Sequence, residues 1–148
     1  MRLDVGAIAK GYATEQVCRI AVENGFTSGL ISVGGNVRAI SGKVLENEKV
    51  SPWIVGIQNP DLESEKTNIQ NVEIIDMSLV TSGIYERYYT VNGELYHHII
   101  DPQTLYPADY FLSVSIMCRD SGLADALSTA VFNMPFEQGL EFINGIDG

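Results

Sequence analysis

The sequence predicts an α+β fold in a single domain over residues 1–148, a largely antiparallel sheet with packed helices. Three observations carry this. The chain has 148 residues, 45% apolar and 19% charged, which suits one globular core. Short apolar runs punctuated by Gly, Pro and Asn recur through its middle, as strands and turns do. No regular alternation of strand and helix supports a doubly wound parallel sheet.

The elements follow in order. Ile8 to Asn24 reads as a helix, with Ile8, Val17, Ile20 and Ala21 available for a buried face and Gly25 as its stop. Gly29 to Val33 is a short apolar strand, broken by Gly34-Gly35-Asn36 before a second strand at Val37 to Ile40. Ser41 to Pro52 is polar and reads as a loop, Trp53 to Ile57 as a strand, Asn59-Pro60-Asp61 as a turn and Leu62 to Asn71 as an exposed connection. A strand from Val72 to Met77 leads into Ser78 to Ser82. Asn92-Gly93 is a strong two-residue hairpin signal, and the hairpin would set a Ser82/Tyr85/Arg87 arm against a His97/His98 arm. Tyr110 to Met117 is a strand and Ser121 to Phe132 a helix; Pro135 opens a further helix that continues through Gln138 to Asn144.

Composition limits the partners. Nine basic against 19 acidic residues give a net charge of −10, which argues against nucleic acid and anionic membrane surfaces. No apolar run approaches the ~20 residues of a membrane span. Met1-Arg2-Leu3-Asp4 is charged at once and does not read as an export leader. Cys18 and Cys118 match no metal or redox spacing, and a buried free thiol fits better than a disulfide.

Four constellations could carry chemistry. Asp4 to Ala13 is a small-residue turn opening a helix, where free backbone N–H groups and Lys10 could cradle a phosphate; a plain helix start with a surface lysine accounts for it as well. Gly34 and Gly35 after a strand permit close approach of a ligand, or simply a bulge. Asp125 and Thr129 lie one helical turn apart beside Ser128, a carboxylate and a hydroxyl suited to a hard cation such as Mg²⁺. The alternative is a solvated stripe, although no Lys, Arg or Glu stands between Ser121 and Phe132. Finally, His97 and His98 are the only imidazoles, near Ser82, Arg87 and Asp101; in a strand they face opposite ways, so one site would use only one of them.

In this order, five segments resemble the ApbE family of flavin transferases: Leu3 to Ala13, Val33-Gly34-Gly35-Asn36, Thr81-Ser82-Gly83 with Tyr85-Glu86-Arg87, His98-Ile99-Ile100-Asp101-Pro102, and Ala124 to Ala130. The resemblance implies Mg²⁺-dependent transfer of FMN from FAD to a Ser or Thr hydroxyl of an acceptor protein, with release of AMP. It implies Asp125, Thr129 and the Ala7 carbonyl as metal ligands, Lys10 near the FAD diphosphate, and Ser82, Gly83 and Arg87 in the flavin pocket beside Gly34 and Gly35. His98 becomes the base and His97 the extra histidine. The same ligands would serve a hydrolase splitting FAD to FMN and AMP, and a non-catalytic flavin-binding module is the third reading. The family is often exported and lipid-anchored, and its members are about twice this long, so the chain corresponds to the C-terminal part of the family fold. Thr104-Leu105-Tyr106-Pro107 stands where the family has Thr-Gly-x-Pro; Leu105 cannot take a positive φ cheaply, so that corner must be rebuilt or strained.

Overall fold

The structure, a computed structural model, describes residues 4–146 apart from Asn47 and Leu62. Met1-Arg2-Leu3, and the first residue of the expected 62–71 connection, therefore lie outside the described residues.

The fold is the expected antiparallel α+β domain. Its main sheet has strands β1 (Gly29–Val33), β2 (Asn36–Ile40), β7 (Ser78–Gly83) and β10 (Ser113–Cys118) in the order β1-β2-β7-β10, every pair antiparallel. Helices α1 (Ala9–Glu23) and α2 (Ser121–Phe132) lie side by side against it, α1 on β1 and β2, α2 chiefly on β7 and β10, and α3 (Phe136–Asn144) packs on α2. Phe132 is fully buried and centres a core with Ile99, Ala108, Val114 and Val131. Three two-stranded ribbons complete the domain: β3 (Lys43–Val44) with β4 (Val50–Ser51), β5 (Trp53–Gln58) with β6 (Asn68–Ile74), and β8 (Tyr88–Val91) with β9 (Glu94–His97).

Several expectations need correction. The 41–52 loop contains the β3–β4 ribbon. The last four residues of the expected 62–71 connection are strand: β6 begins at Asn68 and ends at Ile74, and Asp76 (φ 49°) turns the chain before Met77. Its polar run Asn68, Gln70, Asn71 hides the strand, because an exposed ribbon needs no apolar alternation. β10 starts at Ser113, not Tyr110. The hairpin forms on Asn92 (φ 51°) and Gly93 (φ 87°), the two left-handed residues a type I′ turn demands. Ser82, however, belongs to β7 and Tyr85 to the following turn; of that expected arm only Arg87 meets the histidine side, its carbonyl accepting the His98 N–H at 3.1 Å.

The largest difference concerns α1. Ile8, Val17 and Ile20 are exposed, and the buried face is Gly11, Thr14, Glu15 and Cys18, spaced at helical intervals but small or polar. α1 approaches α2 so closely at Gly11 that a Cβ there would stand 2.3 Å from the Ser121 carbonyl oxygen and 2.4 Å from Asp125 Cβ, which leaves no room for large apolar side chains. Cys18 and Cys118 are both free, and burial pushes both thiols up, so neither is poised to react.

Leu105 does adopt the left-handed conformation (φ 62°), in a corner closed by Leu105 N–H to Asp101 O (2.8 Å) and Asp101 N–H to Tyr106 O (2.9 Å). The corner is kept and the strain accepted. Leu105 is 76% exposed, so its side chain contributes little packing. Leu105→Gly should therefore stabilise the protein by about 0.5–1 kcal/mol, the left-handed strain of ~1–2 kcal/mol less the extra chain entropy of glycine. Urea unfolding measures it; a destabilised variant would show that the leucine side chain is used.

Candidate functional site

One cleft of ≈ 520 Å³ gathers most of the sequence-expected residues: Ala7 from the turn leading into α1, Lys10 from the first turn of α1, Ser82 and Gly83 from the end of β7, Arg87 and His98 from the base of the β8–β9 hairpin, and Asp125 and Thr129 from α2. Gly34 and Gly35 are not on its wall. They turn β1 into β2 with φ 41° and 81°, and the Gly34 carbonyl accepts a hydrogen bond from Lys10 Nζ at 2.7 Å. Gly35 packs against β7, where a Cβ would come within 2.9 Å of the Thr81 carbonyl oxygen. The pair thus fixes Lys10 from behind.

Asp125 is only 4% exposed and Ser128 is fully buried, which removes the solvated-stripe alternative. Asp125 Oδ2 accepts the Gly11 N–H at 2.7 Å, leaving Oδ1 as the remaining carboxylate oxygen. In a longer helix the Gly11 N–H would close onto the Ala7 carbonyl; here it does not, and no hydrogen bond among the described residues ends on that carbonyl oxygen. Ser128 Oγ donates to the Asp125 carbonyl oxygen (3.0 Å), so the 2.8 Å contact between Ser82 and Ser128 must use the Ser82 proton. Thr129 Oγ1, 3.4 Å from Ser82 Oγ, then turns its proton toward Ser82 and keeps its lone pairs for the cleft.

The histidines divide as opposite-facing neighbours should. His97 is buried; its Nδ1 accepts the Ile99 N–H (3.3 Å), so Nε2 carries the proton donated to the Ala108 carbonyl (2.9 Å). Both nitrogens are used, and the ring packs edge-on against Phe132 at 5.8 Å. His98 Nδ1 lies 3.2 Å from the Arg87 carbonyl, which can only accept, so Nδ1 is the protonated nitrogen and Nε2 holds a free lone pair. Partial burial lowers the His98 pKa; the carbonyl bond opposes this, while Arg87, His97 and Lys10 add to it. The ring is neutral at pH 7 and able to accept a proton.

Other wall residues had no role in the sequence reading. Asp4 Oδ1 accepts the Gly6 N–H at 2.8 Å and shapes the turn before α1. Thr81 and Glu86 line the cleft from β7 and the turn after it. Asn133, eight residues beyond Asp125, also lines it and donates Nδ2–H to the Thr129 carbonyl at 3.0 Å. Continuing the Asp125–Thr129 stripe one more turn would have found Asn133; Glu86 stands in a segment that carries the resemblance but was given no role there.

The cleft thus brings Lys10, Arg87, the buried Asp125 and the His98 imidazole together in an antiparallel α+β domain. The chain belongs to the ApbE family, whose model matches residues 1–148. It is 37% identical over 153 residues to the FAD:protein FMN transferase of Treponema pallidum (strain Nichols), spanning 100% of this chain and 42% of that protein. The enzyme of the same name from Klebsiella pneumoniae (strain 342) is 36% identical over 140 residues, 94% of this chain and 41% of that protein. Among solved structures, the ApbE protein of Thermotoga maritima superposes with a TM-score of 0.85 at 38% identity, covering 97% of this chain and 46% of that one. The apo flavinyl transferase ApbE of Pseudomonas stutzeri gives 0.75 at 30% identity, over 98% and 44%. The chain thus spans less than half the length of these relatives.

The histidine assignment is open to an NMR titration. His98 should titrate below the ordinary 6.5, and Arg87→Met should move it up by deleting a cation while the backbone carbonyl remains. The folded state then binds fewer protons than the unfolded one, so this contribution to stability is complete above pH 6.5 and is lost as pH falls through the folded pKa. A midpoint above 6.5 would contradict a base that is neutral at pH 7.

Proposed function

We propose that this chain carries the reacting half of an FAD:protein FMN transferase site, moving FMN from FAD to a Ser or Thr hydroxyl of an acceptor protein. The observation that carries this reading is the pairing, in one cleft, of a neutral His98 whose Nε2 is free with the Asp125–Thr129 stripe and two cations. The names of the relatives supply the reaction class. Lys10 and Arg87 attract the FAD diphosphate into an otherwise acidic protein, and Lys10 keeps further N–H donors beyond the one given to Gly34. His98 Nε2 takes the proton of the acceptor hydroxyl as its oxygen attacks the FMN phosphorus. The bond from that phosphorus to the bridging oxygen breaks, and AMP leaves with the bridging oxygen and its electron pair.

The donor set fits Mg²⁺. Among the described residues no group of three or more His, Cys, Asp or Glu side chains gathers to hold a metal, so soft or nitrogen-rich coordination is not on offer. A hard cation would use Asp125 Oδ1, the Thr129 hydroxyl and the unengaged Ala7 carbonyl, and waters beyond them. When bound it would neutralise diphosphate charge and polarise the bond that breaks.

Asp125→Asn tests this, because the amide oxygen can still accept the Gly11 N–H while the charge is gone. It should fold, lose the Mg²⁺-dependent rise in melting temperature seen with FAD, and lower kcat/KM by about 10²-fold or more. Thr129→Ala should reduce the shift by less, since water replaces a neutral hydroxyl on an ion that holds water readily. Equal shifts in wild type and Asp125→Asn would remove Asp125 from the site. Labelled FAD with an acceptor protein separates the reactions: covalent flavin marks transfer, and rapid AMP release without acceptor marks hydrolysis.

A further inference from the structure

The two helices that build the cleft cap each other. α1 has no side-chain cap of its own: Ile8 precedes it and its first turn holds no acid. Asp125 of α2 supplies the missing acceptor, its Oδ2 taking the N–H of Gly11, the third residue of α1. One turn further along α1, Glu15 returns the arrangement. Its Oε2 accepts the N–H of Ser121, the first residue of α2, at 2.9 Å, and Ser121 stands one turn before Asp125. A carboxylate from each helix therefore sits at the other's positive end, where backbone N–H groups and the helix dipole favour it. Glu15 is buried, and the same Oε2 also accepts from Arg38 Nε at 3.2 Å, while Arg38 Nη1 reaches Asp76 at 3.1 Å on the far side.

Nothing about Glu15 places it in the cleft, yet the contact it makes fixes the one beside it. The Gly11–Asp125 bond decides which carboxylate oxygen faces the cleft, and its length depends on the register of α2 on α1. Apart from that bond, the described hydrogen bonds tie the two helices only through Glu15–Ser121 and through the exposed Arg19–Asp120 pair. We propose that Glu15 is a positioning residue for Asp125: by holding the start of α2 against α1 it sets the aim of the Asp125 oxygen left for the cation and diphosphate. This rests on the reading of the cleft given above.

Four variants of this chain test it, each read by calorimetric titration with FAD plus Mg²⁺, thermal melting, and hydrogen exchange at the Gly11 amide without ligand. Glu15→Ala should speed Gly11 exchange and weaken Mg²⁺-dependent FAD binding by about 10- to 100-fold, the range for residues that orient a metal ligand. Glu15→Gln should restore both, because the two bonds end on one oxygen that an amide can supply. Ser121→Pro removes the N–H donor and a buried hydroxyl that has no hydrogen-bond partner among the described residues, at a first helical position that accepts proline, and leaves the Glu15–Arg38 pair in place. It should reproduce the Glu15→Ala loss, and it decides the matter should Glu15→Ala fail to fold. Asp76→Asn, which breaks Arg38's exposed partner, should lower melting without changing binding or Gly11 exchange. Wild-type binding in Ser121→Pro, or an equal loss in Asp76→Asn, would overturn the inference by showing only general destabilisation. Absent FAD binding in the wild type would fell the cleft reading instead, and Gly11 exchange would still decide whether Glu15 orders that amide.

Discussion

The architecture depends on one close crossing, that of α1 over α2 at Gly11. A residue with any side chain there would meet the Ser121 carbonyl and Asp125 Cβ at less than van der Waals distance, so the contact exists only because Gly11 has none. Closeness is what lets Asp125 reach a backbone N–H on the other helix at 2.7 Å. It also draws Ala7 of the turn before α1, and Lys10 of its first turn, to the same cleft wall as Thr129. A glycine within a helix costs up to roughly 0.5–1 kcal/mol against alanine, less in the first turn where Gly11 stands, and here that cost is offset by two N–H groups satisfied across the interface.

The opposite wall is set by different means. The β8–β9 ribbon is short and exposed, with Tyr89 stacked on Tyr96 at 5.5 Å, and could not hold a side chain in place by burial alone. Two anchors hold its base. His97 is locked into the core by both ring nitrogens and by Phe132, and the His98 backbone and ring both meet the Arg87 carbonyl. The second histidine is therefore not spare: one imidazole is the peg that lets its neighbour face the cleft with a defined tautomer. The left-handed Leu105 belongs to the same anchorage, since its corner carries the antiparallel bridge between Ile100 and Pro107 just after His98.

Where local chemistry dictates structure, the sequence was legible. Asn92-Gly93 made its turn, Gly29 to Val33 its strand, Ser121 to Phe132 its helix, and opposite-facing histidines divided their roles. The motif residues Lys10, Ser82, Arg87, His98, Asp125 and Thr129 are gathered by the fold on one cleft, although no spacing could have shown that elements so far apart in the chain would meet. What stayed hidden depends on tertiary contact. The apolar side of α1 looked like the buried one because periodicity scores hydrophobicity, whereas the real contact face is small and polar, its Gly11 N–H and Glu15 carboxylate met by groups on α2 and β2. Gly34 and Gly35 have the signature of ligand approach, but the backbone they bring close is that of β7, and the side chain they hold is Lys10. The first four residues of β6, Asn68 to Asn71, were missed because they are exposed and polar.

The treatment of buried acids separates scaffold from site. Glu15 is nearly as enclosed as Asp125, but it is matched by Arg38, and Asp76 lies on that guanidinium's other side. Asp101 is enclosed too, and it caps its own corner through the Gln103 N–H at 2.7 Å. Asp125 has no ion-pair partner among the described residues, although Lys10 lines the same cleft and gives its ammonium to the Gly34 carbonyl instead. A buried carboxylate answered by a single amide is expensive for stability alone, since taking a charge from water is repaid only by a counter-charge or several hydrogen bonds. The fold gives the Lys10 ammonium to a glycine carbonyl and leaves the acid without an ion-pair partner among the described residues. That arrangement suits a carboxylate whose counter-charge is a bound cation, the role proposed for Asp125, and it leaves Lys10 and Asp125 unpaired with each other.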